Sequence, residues 1–262
     1  RFEELTALGR VTMRARTVLV LLASFLVAGT ACDSSHDPTA DWKVGTGPAV
    51  PLAGKAFVFG PSSGLTLEGA TVRVAEEPSI AATIAADGTF AFEVPSGAPV
   101  TLQLLQDGFH PNQSAALDLG TTGVADVGFQ VPTEGVFGLL ATMVGVDADP
   151  ATCQISTTVS RAGTAPYGGS GLGEPGVVVT IDPPLPAEHG PVYFQYVSES
   201  YIYPEPMLTS TTIDGGVIFT NVPPGEYTLH GTKDGKQFTD VVVRCRAGVL
   251  VNAAPPHGIQ EL

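Results

Sequence analysis

The side chains that could do chemistry in this chain are few and far apart. Three cysteines stand at Cys32, Cys153 and Cys245, and five histidines at His36, His110, His189, His230 and His257. An imidazole-based zinc or iron site usually takes two ligands at close spacing on one element. No two of these histidines are separated by two or four positions, so no metal is expected. Gly60-Pro61-Ser62-Ser63-Gly64 has the letters of a nucleophile elbow, which requires a strand before it and a helix after it. The alternating "LEGATVRV" follows instead, so the motif reads as a loop. "GLGEPG" at 171–176 spells a dinucleotide fingerprint, yet Pro175 and the strand-like "VVVTI" leave no helix N-terminus for a pyrophosphate. Asp147 and Asp149 lack the further oxygen ligands and the glycine of a calcium loop, and they read as a solvated turn. No enzymatic activity and no cofactor are expected.

Short strands must position whatever site exists. Gly and Pro together supply 53 of the 262 residues and charged residues only 15%, a mix that favours strands and turns over helices. An all-β chain is expected. One unit occurs twice: "DGTFAFEVPSGAPVTLQLLQDG", Asp87 to Gly108, matches Asp214 to Gly235 at a constant offset of 127. Asp87-Gly88 lies against Asp214-Gly215, Phe92 against Phe219, Leu102 against Leu229 and Asp107-Gly108 against Asp234-Gly235. Asp-Gly supplies the positive φ of a type I′ hairpin turn, and alternation such as Val217/Phe219 puts one strand face into a core. Val-Pro-x-Gly then ends the strand, because Pro cannot donate to a central ladder and Gly lets the chain turn.

The pattern "EGATVRV … DGTFAFEVPSG … VTLQLLQDGF" resembles the carboxypeptidase regulatory-like domain, a small transthyretin-like (prealbumin-like) β-sandwich, over residues 52–132. A second copy, with insertions, spans 136–262 around "TIDGGVIFTNVPPGEYTLHGTKDG". The resemblance implies two tandem Greek-key sandwiches that serve as spacers, stabilising appendages or recognition modules. Intradiol dioxygenases share this sandwich, but their closely spaced His-x-His is absent and their activity is not carried over. Some related adhesin sandwiches carry a Lys-to-Asp isopeptide bond, for which Lys55 and Asp126 are the residues in suitable strands. The insertion of the second copy holds Tyr193, Tyr196, Tyr201 and Tyr203 among prolines. Such a cluster can build a recognition surface for a glycan or an envelope protein, or its rings can simply fill strand faces.

The N-terminal end suggests the compartment. Arg14 and Arg16, the apolar run from Val18 to Ala28 and the small residues before Cys32 follow the order of a secretory signal. The run is too short for the ~20 residues of a spanning helix. "GTAC" resembles a bacterial lipobox, which implies acylation of Cys32 and anchorage to a membrane through the lipid; Gly29 departs from the pattern, and simple secretion stays open. Residues 1–32 are thus upstream and signal sequence, and 33–51 a polar tether. In an oxidising compartment Cys153 and Cys245 can pair, leaving Cys32 over. The pair would close a loop of 92 residues and add about 2 to 4 kcal/mol. After Cys32, 8 basic residues face 24 acidic ones, which excludes nucleic acid as an electrostatic partner.

Overall fold

The computed structural model describes residues 39–60, 65–164, 173–198 and 201–262. The signal segment, Cys32, His36 and Pro61–Gly64 lie outside them. The elements are β1 (Ala49–Phe59), β2 (Thr71–Val74), β3 (Ala81–Thr83), β4 (Thr89–Pro95), β5 (Leu102–Leu105), β6 (Asn112–Gln113), β7 (Val124–Pro132), α1 (Glu134–Val144), β8 (Cys153–Thr158) and β9 (Val178–Asp182). They continue with β10 (Val192–Ser198), β11 (Tyr201–Glu205), β12 (Gly216–Val222), β13 (Gly225–Thr232), β14 (Val241–Cys245) and β15 (Leu250–Ala253). Among the described residues the chain is a β-sandwich with one α-helix.

The repeat is visible as connectivity. β1 pairs antiparallel with β4 and parallel with β7, and β8 does the same with β12 and β15. β5 lies between β2 and β6, and β13 between β9 and β14. In both copies Val-Pro-x-Gly carries the chain from one sheet to the opposite one, from β4 to β5 and from β12 to β13. Each copy closes its own apolar core. Leu52, Val72, Leu102, Leu104, Phe129 and Val131 fill the first, and Ile155, Val179, Val217, Phe219, Leu229 and Val251 the second. Alternation along the strands puts them there: β9 reads exposed-buried from Val178 to Asp182, with Val179 and Ile181 inward.

The two copies share a sheet. Nine strands run in the order β11-β10-β12-β8-β15-β6-β5-β2-β3, flanked by the three-stranded sheets β4-β1-β7 and β14-β13-β9. The join is the parallel pairing of Leu250 with Asn112 and of Val251 with Gln113. Register then decides which face each core occupies. Leu104 pairs with Asn112 and belongs to the first core, so Leu250 points to that core's side while Val251 points to the other. The β4-β1-β7 sheet therefore covers one face of the long sheet at one end, and β14-β13-β9 covers the opposite face at the other end.

A polar cluster seals the junction. Glu76, whose side chain is fully buried, takes Arg244 Nη1 at 2.9 Å and Arg246 Nη2 at 2.8 Å from the second copy. Its carboxylate also accepts from the Thr101 amide and hydroxyl, each at 2.8 Å. Arg244 Nε reaches Glu226 at 3.0 Å, and Arg246 Nη1 donates to Gln113 Oε1 at 2.9 Å. Trp42 lies over both guanidinium groups, 5.3 and 4.7 Å from its ring centroid. The tether expected at 33–51 is thus held from Trp42 onward, and β1 begins at Ala49 because Val50 and Leu52 already alternate into the core.

Two further expectations change. Asp87-Gly88 and Asp214-Gly215 are not type I′ hairpin turns, because the aspartates keep negative φ and only the glycines are positive, at 83° and 77°. Each Asp closes a local ring instead, with Thr89 N donating to Asp87 Oδ1 and Gly216 N to Asp214 Oδ2. These turns lead into strands that do not pair with the preceding one; the Asp-Gly pairs that join paired neighbours are Asp107-Gly108, between β5 and β6, and Asp234-Gly235, between β13 and β14. The second change is α1, which the all-β expectation lacked. Thr133 caps its first turn by accepting from Val136 N, and Gly145 ends it at φ 77°.

Asp214 offers a test of burial. Desolvation raises its carboxyl above the ordinary 3.8, against the pull of the Gly216 amide. A raised carboxyl favours the fold below its unfolded value, and that contribution disappears as pH rises through the folded value. At pH 7 the charge is a burden. Asp214→Asn, which keeps an acceptor for Gly216, is expected to raise the urea midpoint at pH 7 and leave it nearly unchanged at pH 3.

Candidate functional site

The histidines do not converge. His110 Nδ1 meets Glu134 Oε2 at 3.1 Å with its ring stacked 3.5 Å from that of Phe137, while His189 Nδ1 is bonded to Thr220 O. His230 Nδ1 meets Asp240, and His257 Nε2 meets Ala125 O. Among the described residues no three His, Cys, Asp or Glu are grouped to hold a metal ion. Asp149 is a turn residue: its Oδ1 accepts from Ala151 N, and its amide donates to Asn221 Oδ1. Asn221, at φ 51°, also ties Gln154 and Asp147 to this loop, a role that nothing in the local pattern announced. Within "GLGEPG" the described part, Gly173–Gly176, holds Glu174, buried and paired with Lys233, Lys236 and Arg161. It is an ion cluster, not a phosphate cradle.

Cys153 and Cys245 form the disulfide, with Cα atoms 5.7 Å apart. It links β8 of the long sheet to β14 of the opposite sheet through the second core. Lys55 and Asp126 line one open depression of about 500 Å³, and the charge of Lys55 acts on Asp87.

The tyrosines separate by face. Tyr193 is only 2% exposed, and its hydroxyl accepts from Val179 N at 3.0 Å. Its ring is core, and burial raises its phenol; the expected contribution to a surface is corrected. Phe194 points to the opposite face, towards α1. Tyr196 shares the Phe194 side by alternation, and Tyr203, paired with Gln195, shares the Tyr193 side. A bulge after Tyr196 then sets Tyr201 opposite Ser198. The Tyr201 and Tyr203 rings come within 5.3 Å at a tilt of 36°, and Tyr201 remains 55% exposed. What survives as a surface is this aromatic pair on β11, the terminal strand of the long sheet. Tyr193→Phe leaves the buried Val179 amide without an acceptor and is expected to destabilise by about 1 to 2 kcal/mol, read by thermal or urea melts.

On the other face α1 lies beside β11. Val136, Phe137, Leu140, Ala141 and Val144 turn towards the sheet but are only half-buried. Under them runs an apolar cleft of about 60 Å³, with Phe194, Ile218 and Leu250 on its sheet wall. That volume is about two waters' worth, far below the ~300 Å³ at which small-molecule sites begin. Leu139 and Met143 face outward and exposed. The β10–β11 end with α1 is therefore the candidate interface: a terminal strand with no further strand beside it among the described residues, tyrosines on one face and an apolar helix against the other.

No family model matches the sequence, and no curated protein matches it. Among solved structures the chain is similar to the TIE protein of Bacillus anthracis, at 13% identity and a TM-score of 0.25 over 81% of this chain and 34% of that one. It is also similar to GBS52, the minor pilin of Streptococcus agalactiae, at 11% identity, TM-score 0.26 and coverage of 81% and 96%. The shaft pilin SpaA of Lactobacillus rhamnosus GG aligns at 11% identity, TM-score 0.23 and coverage of 82% and 97%. The chain spans about a third of the length of the first of these. At such scores the likenesses carry no argument about function.

Proposed function

We propose that this chain is an exported, non-enzymatic structural module of the cell envelope, anchored to a membrane by a lipid on Cys32. The observation that carries the structural part is the continuous nine-stranded sheet, which joins both cores into one body with Glu76 buried between Arg244 and Arg246. A spacer must transmit position without folding at its joint, and this joint is sheet-bonded and ion-paired. The lipobox-like Gly29-Thr30-Ala31-Cys32 supports a covalent lipid as the anchor, and the Cys153–Cys245 disulfide fits an oxidising compartment. Expression in a bacterium with lipoprotein processing tests it. The full chain is expected in the membrane fraction with an N-terminal mass carrying acyl chains on Cys32, and Cys32→Ser is expected to be released. A soluble, unacylated mature chain would overturn the anchor.

A second reading has its own observation, the exposed Tyr201–Tyr203 pair at the sheet edge. In it the spacer presents the edge as a recognition surface for a glycan or a protein.

A further inference from the structure

The β11 edge carries more information than the presence of two tyrosines. β11 is paired with β10 alone, so among the described residues one side of its backbone has no strand beside it. Backbone donors and acceptors on an open edge are a template for another strand. Natural edges are protected by charge, by proline or by brevity; β11 has Pro204 near its end, but Tyr201, Ile202 and Tyr203 ahead of it carry no charge. Exposed Val197 and Met207 adjoin the same edge.

Charge narrows the occupant. No Lys or Arg occurs between Arg73 and Arg161, nor between Arg161 and Lys233. α1, β10, β11 and β12 therefore bring no permanent cation, while Glu205 ends β11 itself in a chain that carries 24 acidic against 8 basic residues after Cys32. A second copy of this chain would set like charge against like, which disfavours edge-to-edge self-pairing. A partner strand rich in Lys or Arg would be drawn to the edge and held there.

We propose that β11 is a strand-addition site for an extended cationic segment of another protein. Its alternate apolar side chains would lie over Tyr201 and Tyr203, with Lys or Arg at intervening positions. This rests on the recognition reading above and names its partner class.

The test uses the full chain and a fluorescent heptapeptide, Val-Lys-Val-Lys-Val-Lys-Val, followed by anisotropy. Binding is expected to weaken about tenfold or more for Tyr201→Ala/Tyr203→Ala, with added salt, and when alternate peptide nitrogens are methylated, since methylation removes the ladder donors. The Val-Glu counterpart is expected not to bind. Tyr201 is exposed, and an unchanged melting midpoint of the variant would show that folding is intact. Equal binding of the methylated peptide would overturn strand addition in favour of charge adsorption. Binding of chito-oligosaccharide that is lost in the tyrosine variant, without peptide binding, would overturn the proposal while sparing the recognition reading. Binding of neither probe would end both.

Discussion

Replacing Arg244 and Arg246 together by Ala will destabilise the fold by about 3 to 5 kcal/mol at pH 7, because it strands a buried carboxylate without its counter-charges. The pH dependence will also reverse. In the native chain burial works to raise the Glu76 carboxyl, but the Thr101 amide, Arg246 and the Thr101 hydroxyl together hold it below its ordinary 4.5. A depressed carboxyl contributes stability above its unfolded value and loses it as pH falls through the folded one. Desolvation is already the largest single influence, and without the arginines only the two Thr101 bonds oppose it, so acidification from pH 7 should recover stability in the variant. Urea midpoints at pH 7 and pH 4.5, compared between the two proteins, read the sign directly. The same slope in both would mean that Glu76 is not buried against these cations. Glu76→Leu with Arg244→Met and Arg246→Met should restore most of the loss, since well-packed apolar residues often replace buried ion pairs without penalty.

The distinction matters because a junction can be strong for two unlike reasons. The sheet pairing between β6 and β15 spans two residues on each strand, too little to hold two cores in register by itself. Around it Arg244 donates directional bonds to Pro99 O and Glu226, and Arg246 to Thr101 Oγ1 and Gln113 Oε1. Directional bonds fix an angle where apolar contact alone would permit sliding. Trp42 covers the guanidinium pair, so a residue ahead of β1 completes a joint whose other members lie some 30 to 200 positions away.

Those separations explain what the sequence could and could not disclose. The offset of 127 showed β4 and β12, and β5 and β13, because each copy must solve the same local problem with the same residues: alternation, then Pro, then Gly. The Cys153–Cys245 pair followed from counting. The face assignment of Tyr193, Tyr196, Tyr201 and Tyr203 did not, because one bulge after Tyr196 changes which side every later ring occupies. α1 did leave a signal, Thr133 and Gly145 at its ends with apolar residues at 136, 137, 140, 141 and 144, but Leu139 and Met143 make its outer face apolar too, so no amphipathic stripe sets it apart in an all-β composition. The shared sheet had no local signature at all, since Asn112 and Gln113 are two polar residues held between Leu104 and Gln103 on one side and Leu250 and Val251 on the other.

Removal of the disulfide is the other change with a large expected effect. Cys153→Ala/Cys245→Ala is expected to lower stability by about 4 kcal/mol, near the top of the usual range because the closed loop holds 92 residues. Dithiothreitol acting on the native chain should give a similar loss; a change under about 1 kcal/mol in either would show that unfolded-state entropy is not what the bridge controls. The position of the bridge adds a second expectation. Arg244, Cys245 and Arg246 are consecutive, and alternation turns the cysteine into the second core while the arginines on either side reach Glu76 of the first. One end of β14 thus holds both seams. Loosening it from within should weaken the grip of the arginines without. The double alanine change at the arginines, made in the absence of the disulfide, should then cost measurably less than in its presence, a coupling of about 1 kcal/mol or more in a double-mutant cycle. Strict additivity would mean that β14 stays rigid without its covalent tie, and that the two cores hold their places independently.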